Sequence, residues 1–272
     1  MGRFKDKLKG LTQGMDNYGN SLQHHDGNSV KRSTAPFPYG NEHALTFDYG
    51  ERPRVLNRGN KHVACVLLLD TSGTMEGESI EQLKKALVTF RDSQLKDPLS
   101  NGCIDVCVVT FDDDANVLVP FCPLRDFVVP DLKPGGLTNL EAGIRIAYAQ
   151  IKMQQKIYGE NGIDAAVPWI LLLTDGMPNK GDTNGVIQFV KEKEGHQPKP
   201  RFYLYGVGTG NYDRDFLMRL CAPNRAWEAT ATSFSGLFDW VSQSLSQISQ
   251  SSAGTSVITQ PLPQGVLILP NQ

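Results

Sequence analysis

The chain has 272 residues, of which 40% are hydrophobic and 21% are charged, and this balance permits a sizeable core in one large domain or two small ones. Its formal net charge of −2 gives no global signal for binding nucleic acid or an anionic membrane. No apolar run reaches the roughly 18 residues of a membrane-spanning helix, so we expect no stable membrane insertion.

Residues 1–60 differ in composition from the rest of the chain: they are polar and rich in Gly, Asn and Ser. Within them, residues 4–15 carry apolar side chains at the spacing of a short, basic amphipathic helix. The segment ALTFDY at 44–49 alternates weakly, as an edge strand does. We therefore predict a polar N-terminal extension over 1–60, a domain over 61–250, and a tail over 251–272 that is rich in Ser, Pro and Gly.

From residue 62 onward, short apolar runs alternate with longer amphipathic segments, which predicts strands that alternate with helices. The predicted strands cover 62–70, 104–111, 116–120, 168–175, 201–208 and 226–228. The predicted helices cover 78–96, 140–158, 186–193, 213–220 and 233–248. This order indicates an α/β, doubly wound, Rossmann-like fold. We expect a mostly parallel sheet of about six strands with one antiparallel edge strand and helices on both faces.

Cysteines and histidines do not suggest a disulfide framework or a zinc site. The five cysteines are an odd number, and most lie in apolar, strand-like runs. This pattern is typical of buried free thiols in a reducing compartment, so we expect a cytoplasmic protein. The five histidines lie elsewhere in the sequence and do not cluster with the cysteines.

Oxygen-bearing side chains follow the predicted strands. Asp70 ends the first strand and Ser72 and Thr74 follow it, Asp175 ends the strand PWILLLTD, and Thr138 lies in the loop before the long helix. The carboxyl ends of parallel strands share one edge of the sheet, so we expect these residues to meet there. Hard oxygen ligands suit Mg²⁺ or Mn²⁺, and two aspartates only balance a dication. The ion would therefore accept one more anionic ligand, such as a carboxylate of a partner protein.

These residues resemble the metal-ion-dependent adhesion site of von Willebrand factor A domains, and the resemblance covers residues 61–250. It implies that Ser72 and Thr74 bind the metal directly, and that Asp70 and Asp175 bind directly or through water. It also implies that Thr138 switches between direct and water-mediated binding when a carboxylate arrives. The family usually has serine where this chain has Thr74. The expected metal is Mg²⁺, or else Mn²⁺ or Ca²⁺, and the expected partner-binding rim comprises Asp112, Asp113, Gly136, Asn139 and Met177.

Within that family, four stretches are most similar to bacterial TerY-like proteins: DTSGTM, LKDP, PWILLLTDG and FDWVSQSLSQISQS. These cytosolic proteins are linked with tellurite resistance and stress responses, and often with a protein kinase and a phosphatase. The resemblance implies a non-catalytic adaptor or scaffold in a stress-response or defence system, whose partner offers an Asp or Glu to the metal.

Other functions remain as alternatives. One is a scaffold that recognises partners without metal, through residues 1–60 and the tail. A haloacid-dehalogenase-type phosphotransferase would need a second Asp where Ser72 stands, and a lysine for which Lys180 is the candidate. An aspartic protease would need Asp-Thr-Gly, which Ser72 interrupts. The segment GVGTG at 206–210 lacks the third glycine of a dinucleotide-binding loop and instead indicates tight packing. The run of aspartates at 112–114 is either a solvated turn or part of the metal rim.

Overall fold

A computed structural model of the chain describes residues 60–95, 102–251 and 261–270. The short helix predicted within 4–15 and the strand predicted at 44–49 lie outside the described residues. Among the described helices, none combines the length and the apolar character needed to cross a membrane.

The centre of the domain is a seven-stranded sheet in the order β3-β2-β1-β4-β5-β6-β7. All neighbouring strands run parallel except at the two edges, where β3 is antiparallel to β2 and β7 is antiparallel to β6. The strands are β1 (Val63–Asp70), β2 (Ile104–Phe111), β3 (Ala115–Pro123), β4 (Trp169–Thr174), β5 (Tyr203–Gly208), β6 (Ala226–Ala229) and β7 (Val266–Ile268).

Within the described residues, five α-helices cover the two faces of this sheet. They are α1 (Glu78–Leu95), α2 (Leu140–Glu160), α3 (Thr183–Glu194), α4 (Arg214–Leu220) and α5 (Phe234–Gln250). Because side chains alternate along a strand, fully buried β1 contributes to both cores. Its residues Leu67 and Leu69 pack in the core under α1 and α5, whereas Leu68 packs in the core under α2, α3 and α4.

The strand order reverses between β1 and β4, and this topology determines where a ligand site can form. From β1 the chain continues through α1 to β2 on one side, and the strands after β4 follow on the other side. Such a reversal opens a crevice beyond the carboxyl ends of the two central strands. Helix α2 approaches the sheet closely there, because a Cβ atom on Gly143 would lie 3.1 Å from both Leu68 and Phe111.

The sheet has one strand more than the sequence predicts, and a second antiparallel edge. The additional strand, β7, lies in the segment predicted as a tail. Val266 and Leu269 are 5% and 2% exposed and pack in opposite cores, whereas Leu267 between them is 65% exposed. A three-residue strand is too short to show a period in the sequence, and its stability comes from these two contacts with the rest of the domain.

The docking of β7 can be tested by comparing two leucines on the same segment. Leu269→Ala should lower the free energy of unfolding by about 2–4 kcal/mol, because it leaves a cavity in the core. The matched change Leu267→Ala removes an exposed side chain and should change this free energy by less than about 0.5 kcal/mol. Urea denaturation of both variants measures the difference, and equal effects would contradict the packing of this segment.

Candidate metal site

Asp70 is the innermost residue of the candidate site. It is the last residue of β1, and its side chain is completely buried. One carboxylate oxygen, Oδ1, accepts a hydrogen bond of 2.8 Å from the backbone N–H of Ser72. The other, Oδ2, accepts a bond of 2.5 Å from the hydroxyl of Thr174 at the end of β4. These two bonds fix the carboxylate at the switch point between the two central strands.

Hydroxyl groups connect this first loop with the loop that follows β4. The hydroxyl oxygens of Ser72 and Thr74 lie 3.0 Å apart, and the hydroxyl of Thr74 donates a 2.6 Å hydrogen bond to Oδ1 of Asp175. Thr74 therefore places its hydroxyl oxygen in the site. Ser72 and Asp175 are 2% and 7% exposed, whereas Thr74 is exposed, so the site opens on the Thr74 side.

Thr138 belongs to the same cluster, as the surroundings of Gly176 show. A Cβ atom placed on Gly176 would lie 3.3 Å from the hydroxyl oxygens of both Thr74 and Thr138, and 3.8 Å from Oδ2 of Asp70. Oxygens from three separate loops thus converge on one small space. Any side chain at position 176 would enter that space, which is why this position suits glycine.

Hydrogen bonds from backbone N–H groups hold the three loops in this arrangement. The Thr138 N–H donates to the side-chain oxygen of Asn179 at 2.9 Å, and the Asn179 N–H donates to the Thr138 carbonyl at 3.2 Å. Gly73 N–H donates to the Gly136 carbonyl at 3.1 Å, which ties the same loop to the segment after β1. The hydroxyl of Thr138 is consequently positioned by its neighbours on both sides.

Burial raises the pKa of both carboxyl groups. The pKa of Asp70 rises from 3.8 to about 6, mainly because the group is removed from water; the hydrogen bonds from Ser72 and Thr174 oppose this rise, and the negative charge of Asp175 adds to it. The pKa of Asp175 is also raised by burial, against the hydrogen bond from Thr74. Two neighbouring buried carboxylates are costly without a compensating positive charge.

The donor set fits a hard divalent cation. It consists of two carboxylates and three hydroxyls, all oxygen ligands of the kind that Mg²⁺, Mn²⁺ and Ca²⁺ prefer. In the ranges 60–95, 102–251 and 261–270, no group of three or more His, Cys, Asp or Glu side chains gathers in a metal-binding arrangement. A cation at this site would therefore depend on the hydroxyl oxygens as well as on Asp70 and Asp175.

Four of the five residues predicted for the rim lie at or near the surface beside the site. Asp113, Gly136 and Met177 are exposed, and Asp112 is half-buried. The prediction for Asn139 needs correction, because this residue is only 5% exposed. Its side chain accepts a bond from Ala142 N–H at the start of α2 and donates to the carbonyl of Asp113. Asn139 thus caps the helix and supports the rim from below.

Sequence reasoning missed Thr174 and Asn179, which bind and position the predicted site residues. Thr174 immediately precedes Asp175, and the parallel pairing of β1 with β4 places it next to Asp70. That pairing could have been anticipated from the fold class. Asn179 lies in a polar loop, and no spacing rule identifies its contacts with Thr138.

Two alternative functions find no support in the geometry. Lys180, the lysine considered for a phosphotransferase, lies at the surface with its ammonium nitrogen 4.0 Å from a carboxylate oxygen of Asp113. In the GVGTG segment, Gly206 and Gly208 face side chains: added Cβ atoms would lie 2.6 Å from the sulfur of Cys221 and 2.2 Å from the ring of Tyr212. Tight packing therefore accounts for these glycines, as expected from the sequence.

Comparison with known proteins agrees with this architecture. Residues 65–178 match the family model VWA_2, described as von Willebrand factor type A domain. Together with the sheet order, this match makes residues 65–178 similar to a von Willebrand factor type A domain.

Among curated proteins, the chain is similar to inter-alpha-trypsin inhibitor heavy chain H1 of Mesocricetus auratus, with 28% identity over 183 residues that cover 64% of this chain and 19% of that protein. It is also similar to heavy chain H3 of Bos taurus, with 28% identity over 166 residues that cover 58% of this chain and 18% of the relative. The chain thus spans about a fifth of the length of these curated relatives.

Two solved structures share the fold. The pilus adhesin SpaC from Lactobacillus rhamnosus GG superposes with a TM-score of 0.58 and 14% identity, covering 72% of this chain and 32% of that chain. A von Willebrand factor type A protein from Catenulispora acidiphila gives a TM-score of 0.55 and 16% identity, covering 69% of this chain and 43% of the other. At such low identity the likeness concerns the fold alone.

The raised pKa of Asp70 predicts how the metal-free protein responds to pH. The folded state keeps this carboxyl protonated up to about pH 6, whereas the unfolded chain loses the proton near pH 3.8. The folded state therefore binds more protons in this interval, and the free energy of unfolding should fall as the pH rises through it. The loss attributable to Asp70 is at most roughly 3 kcal/mol. Urea denaturation in excess chelator, at several pH values from about 4 to 7, measures it.

The control for this experiment is Asp70→Asn, which keeps the size of the side chain and removes the titration. As the pH rises, the free energy of unfolding of Asp70→Asn should therefore fall less than that of wild type. If both proteins lose the same stability between these pH values, Asp70 is not the group that titrates.

Proposed function

We propose that the domain over 61–250 is a non-catalytic, metal-dependent module for protein–protein interaction. Mg²⁺, or else Mn²⁺ or Ca²⁺, is held by Asp70, Ser72, Thr74, Thr138 and Asp175, and the remaining coordination position accepts an Asp or Glu carboxylate of a partner protein. The observation that carries this proposal is the convergence of carboxylate and hydroxyl oxygens from three loops in front of Gly176.

Charge explains why such a site would bind an anion. Asp70 and Asp175 balance a dication, and hydroxyl ligands add no formal charge, so a bound ion keeps its affinity for one more negative oxygen. In our proposal Ser72 and Thr74 bind the ion directly, while the two aspartates bind directly or through water. Thr138 exchanges between the two modes when the partner's carboxylate arrives, a role that rests on the family resemblance.

A non-catalytic role is consistent with the side chains near Asp70. A phosphotransferase of the kind considered above needs a general acid two residues after the nucleophile, and Ser72 has no suitable proton donor group for this purpose. The candidate lysine, Lys180, is engaged at the surface with Asp113. These observations favour a binding module over an enzyme.

The cellular role proposed here is that of a cytoplasmic adaptor. All five cysteines are free thiols, and four of them are buried, as is typical of proteins in a reducing compartment. A bacterial stress-response system of the tellurite-resistance type, or a defence system, with a kinase- and phosphatase-linked partner, is proposed from the resemblance of DTSGTM, PWILLLTDG and the α5 sequence to TerY-like proteins.

Metal binding is the first property to test. Isothermal titration of the full chain with Mg²⁺ and with Mn²⁺ should show one site per chain. Asp70→Asn should weaken binding by at least about tenfold, because a neutral amide replaces an anionic ligand. The matched control Asp114→Asn changes an exposed aspartate of a nearby turn and should bind as wild type does. Absence of binding by wild type at millimolar metal, or equal binding by Asp70→Asn, would contradict the proposed site.

A second experiment separates this function from the metal-independent scaffold. Pull-downs with the full chain as bait are compared in Mg²⁺ and in EDTA, with Asp70→Asn and with a chain lacking residues 2–60. We expect the captured partner to be lost in EDTA and with Asp70→Asn, because the partner's carboxylate needs the ion. Capture that persists in EDTA and disappears without residues 2–60 would favour the scaffold.

A further inference from the structure

Two large apolar side chains are exposed beside the candidate metal site. Leu137 is 46% exposed and immediately precedes Thr138; Met177 is 54% exposed and immediately follows Gly176. Single exposed apolar residues are ordinary on protein surfaces. These two, however, lie on separate loops that each contribute an oxygen to the same cluster. We call Leu137 and Met177 the apolar pair.

The structure holds these two loops against each other. Two hydrogen bonds join Thr138 and Asn179, one in each direction. The Cβ position of Gly176 lies 3.3 Å from the hydroxyl of Thr138, so the loops touch at the site itself. The apolar pair therefore lies on the two loops that border the space in front of Gly176, next to Thr138 and Gly176 in sequence.

Another part of the rim is acidic. Asp113 and Asp114 are exposed on the turn after β2, and an added Cβ atom on Gly136 would lie 2.7 Å from a carboxylate oxygen of Asp113, which places this aspartate beside the Thr138 loop. The ammonium nitrogen of Lys180 lies 4.0 Å from a carboxylate oxygen of Asp113. A second carboxylate on the ligand that approaches this turn would be repelled.

We propose that the apolar pair selects partners in which one Asp or Glu is flanked by an aliphatic or aromatic side chain. The acidic residue reaches the metal position, the apolar neighbour packs on Leu137 and Met177, and the acidic turn disfavours a second carboxylate. This inference rests on the proposed function of the site, and it adds the chemical class of the recognised segment. Apolar contacts at the centre of a small interface, surrounded by polar groups, commonly supply most of the discrimination between ligands.

Three small peptides test the proposal on the full chain in saturating Mg²⁺. They are Ac-Leu-Asp-Leu-NH₂, Ac-Gly-Asp-Gly-NH₂ and Ac-Leu-Asn-Leu-NH₂, and their binding is followed by chemical-shift changes in ¹H–¹⁵N spectra. We expect the leucine-flanked aspartate to bind about tenfold more tightly than the glycine-flanked one, as burial of one leucine side chain would give. The asparagine peptide, which lacks the carboxylate, should bind much more weakly than either, as should all three peptides in EDTA.

The double variant Leu137→Ser, Met177→Ser assigns this preference to the apolar pair. It should reduce the roughly tenfold preference for leucine-flanked aspartate to less than about twofold. Leu267→Ser is the matched control, because Leu267 is 65% exposed and lies on β7, outside the three loops of the site. It should keep the full preference.

The outcomes distinguish the two levels of the proposal. If Mg²⁺ titration shows no binding to wild type, the proposed function itself fails. If Mg²⁺ binds but wild type does not distinguish the two aspartate peptides, or binds neither, the inference about the apolar pair is overturned and the metal site stands. The inference about the apolar pair is also overturned if the double variant keeps the preference for the leucine-flanked aspartate. If the double variant no longer binds Mg²⁺, changing Leu137 and Met177 one at a time repeats the comparison.

Discussion

The parallel pairing of β1 with β4 is the constraint on which the site depends. Its register sets Leu69 opposite Leu173, so the next residues along, Asp70 and Thr174, are neighbours at the edge of the sheet. The hydroxyl of Thr174 donates a hydrogen bond to the carboxylate of Asp70, and Asp175 is the next residue after Thr174. A shift of one residue in this register would turn Asp70 toward the wrong face, because strand side chains alternate. Both cores, under α1 and α5 and under α2 to α4, stabilise this register and hence the site.

Hydroxyl groups allow the site to gather many oxygens without gathering many charges. Asp70 is fully buried, and its pKa is already raised to about 6 with Asp175 nearby. A third carboxylate in the same space would add further repulsion and desolvation. Ser72, Thr74 and Thr138 supply oxygens of the same hardness with no formal charge. Glycine at position 176 has no side chain, so it leaves the space in front of these oxygens open.

The sequence predicted those parts of the fold and the site that depend on local pattern. Long apolar runs identified the central strands, and the residues that follow them identified Asp70, Ser72, Thr74 and Asp175 as neighbours. Strand β7 was not predicted, because its burial comes from contacts of Val266 and Leu269 with distant segments. Asn139 was placed on the rim although its side chain caps α2, since a cap and a surface contact use the same kind of residue.

A bound cation would change what the rim can recognise. Without a cation, the site presents two carboxylates, and the exposed Asp113 adds a third negative group nearby, so an acidic ligand would be repelled although Leu137 and Met177 are available to its apolar part. With a dication in place the two buried charges are balanced, and the same apolar contact becomes usable for a ligand that carries one carboxylate. Neither feature suffices alone: the metal would accept many carboxylates, and two exposed apolar side chains offer little area. Selectivity of this domain would therefore arise from requiring both contacts at once, and it would be controlled by the metal.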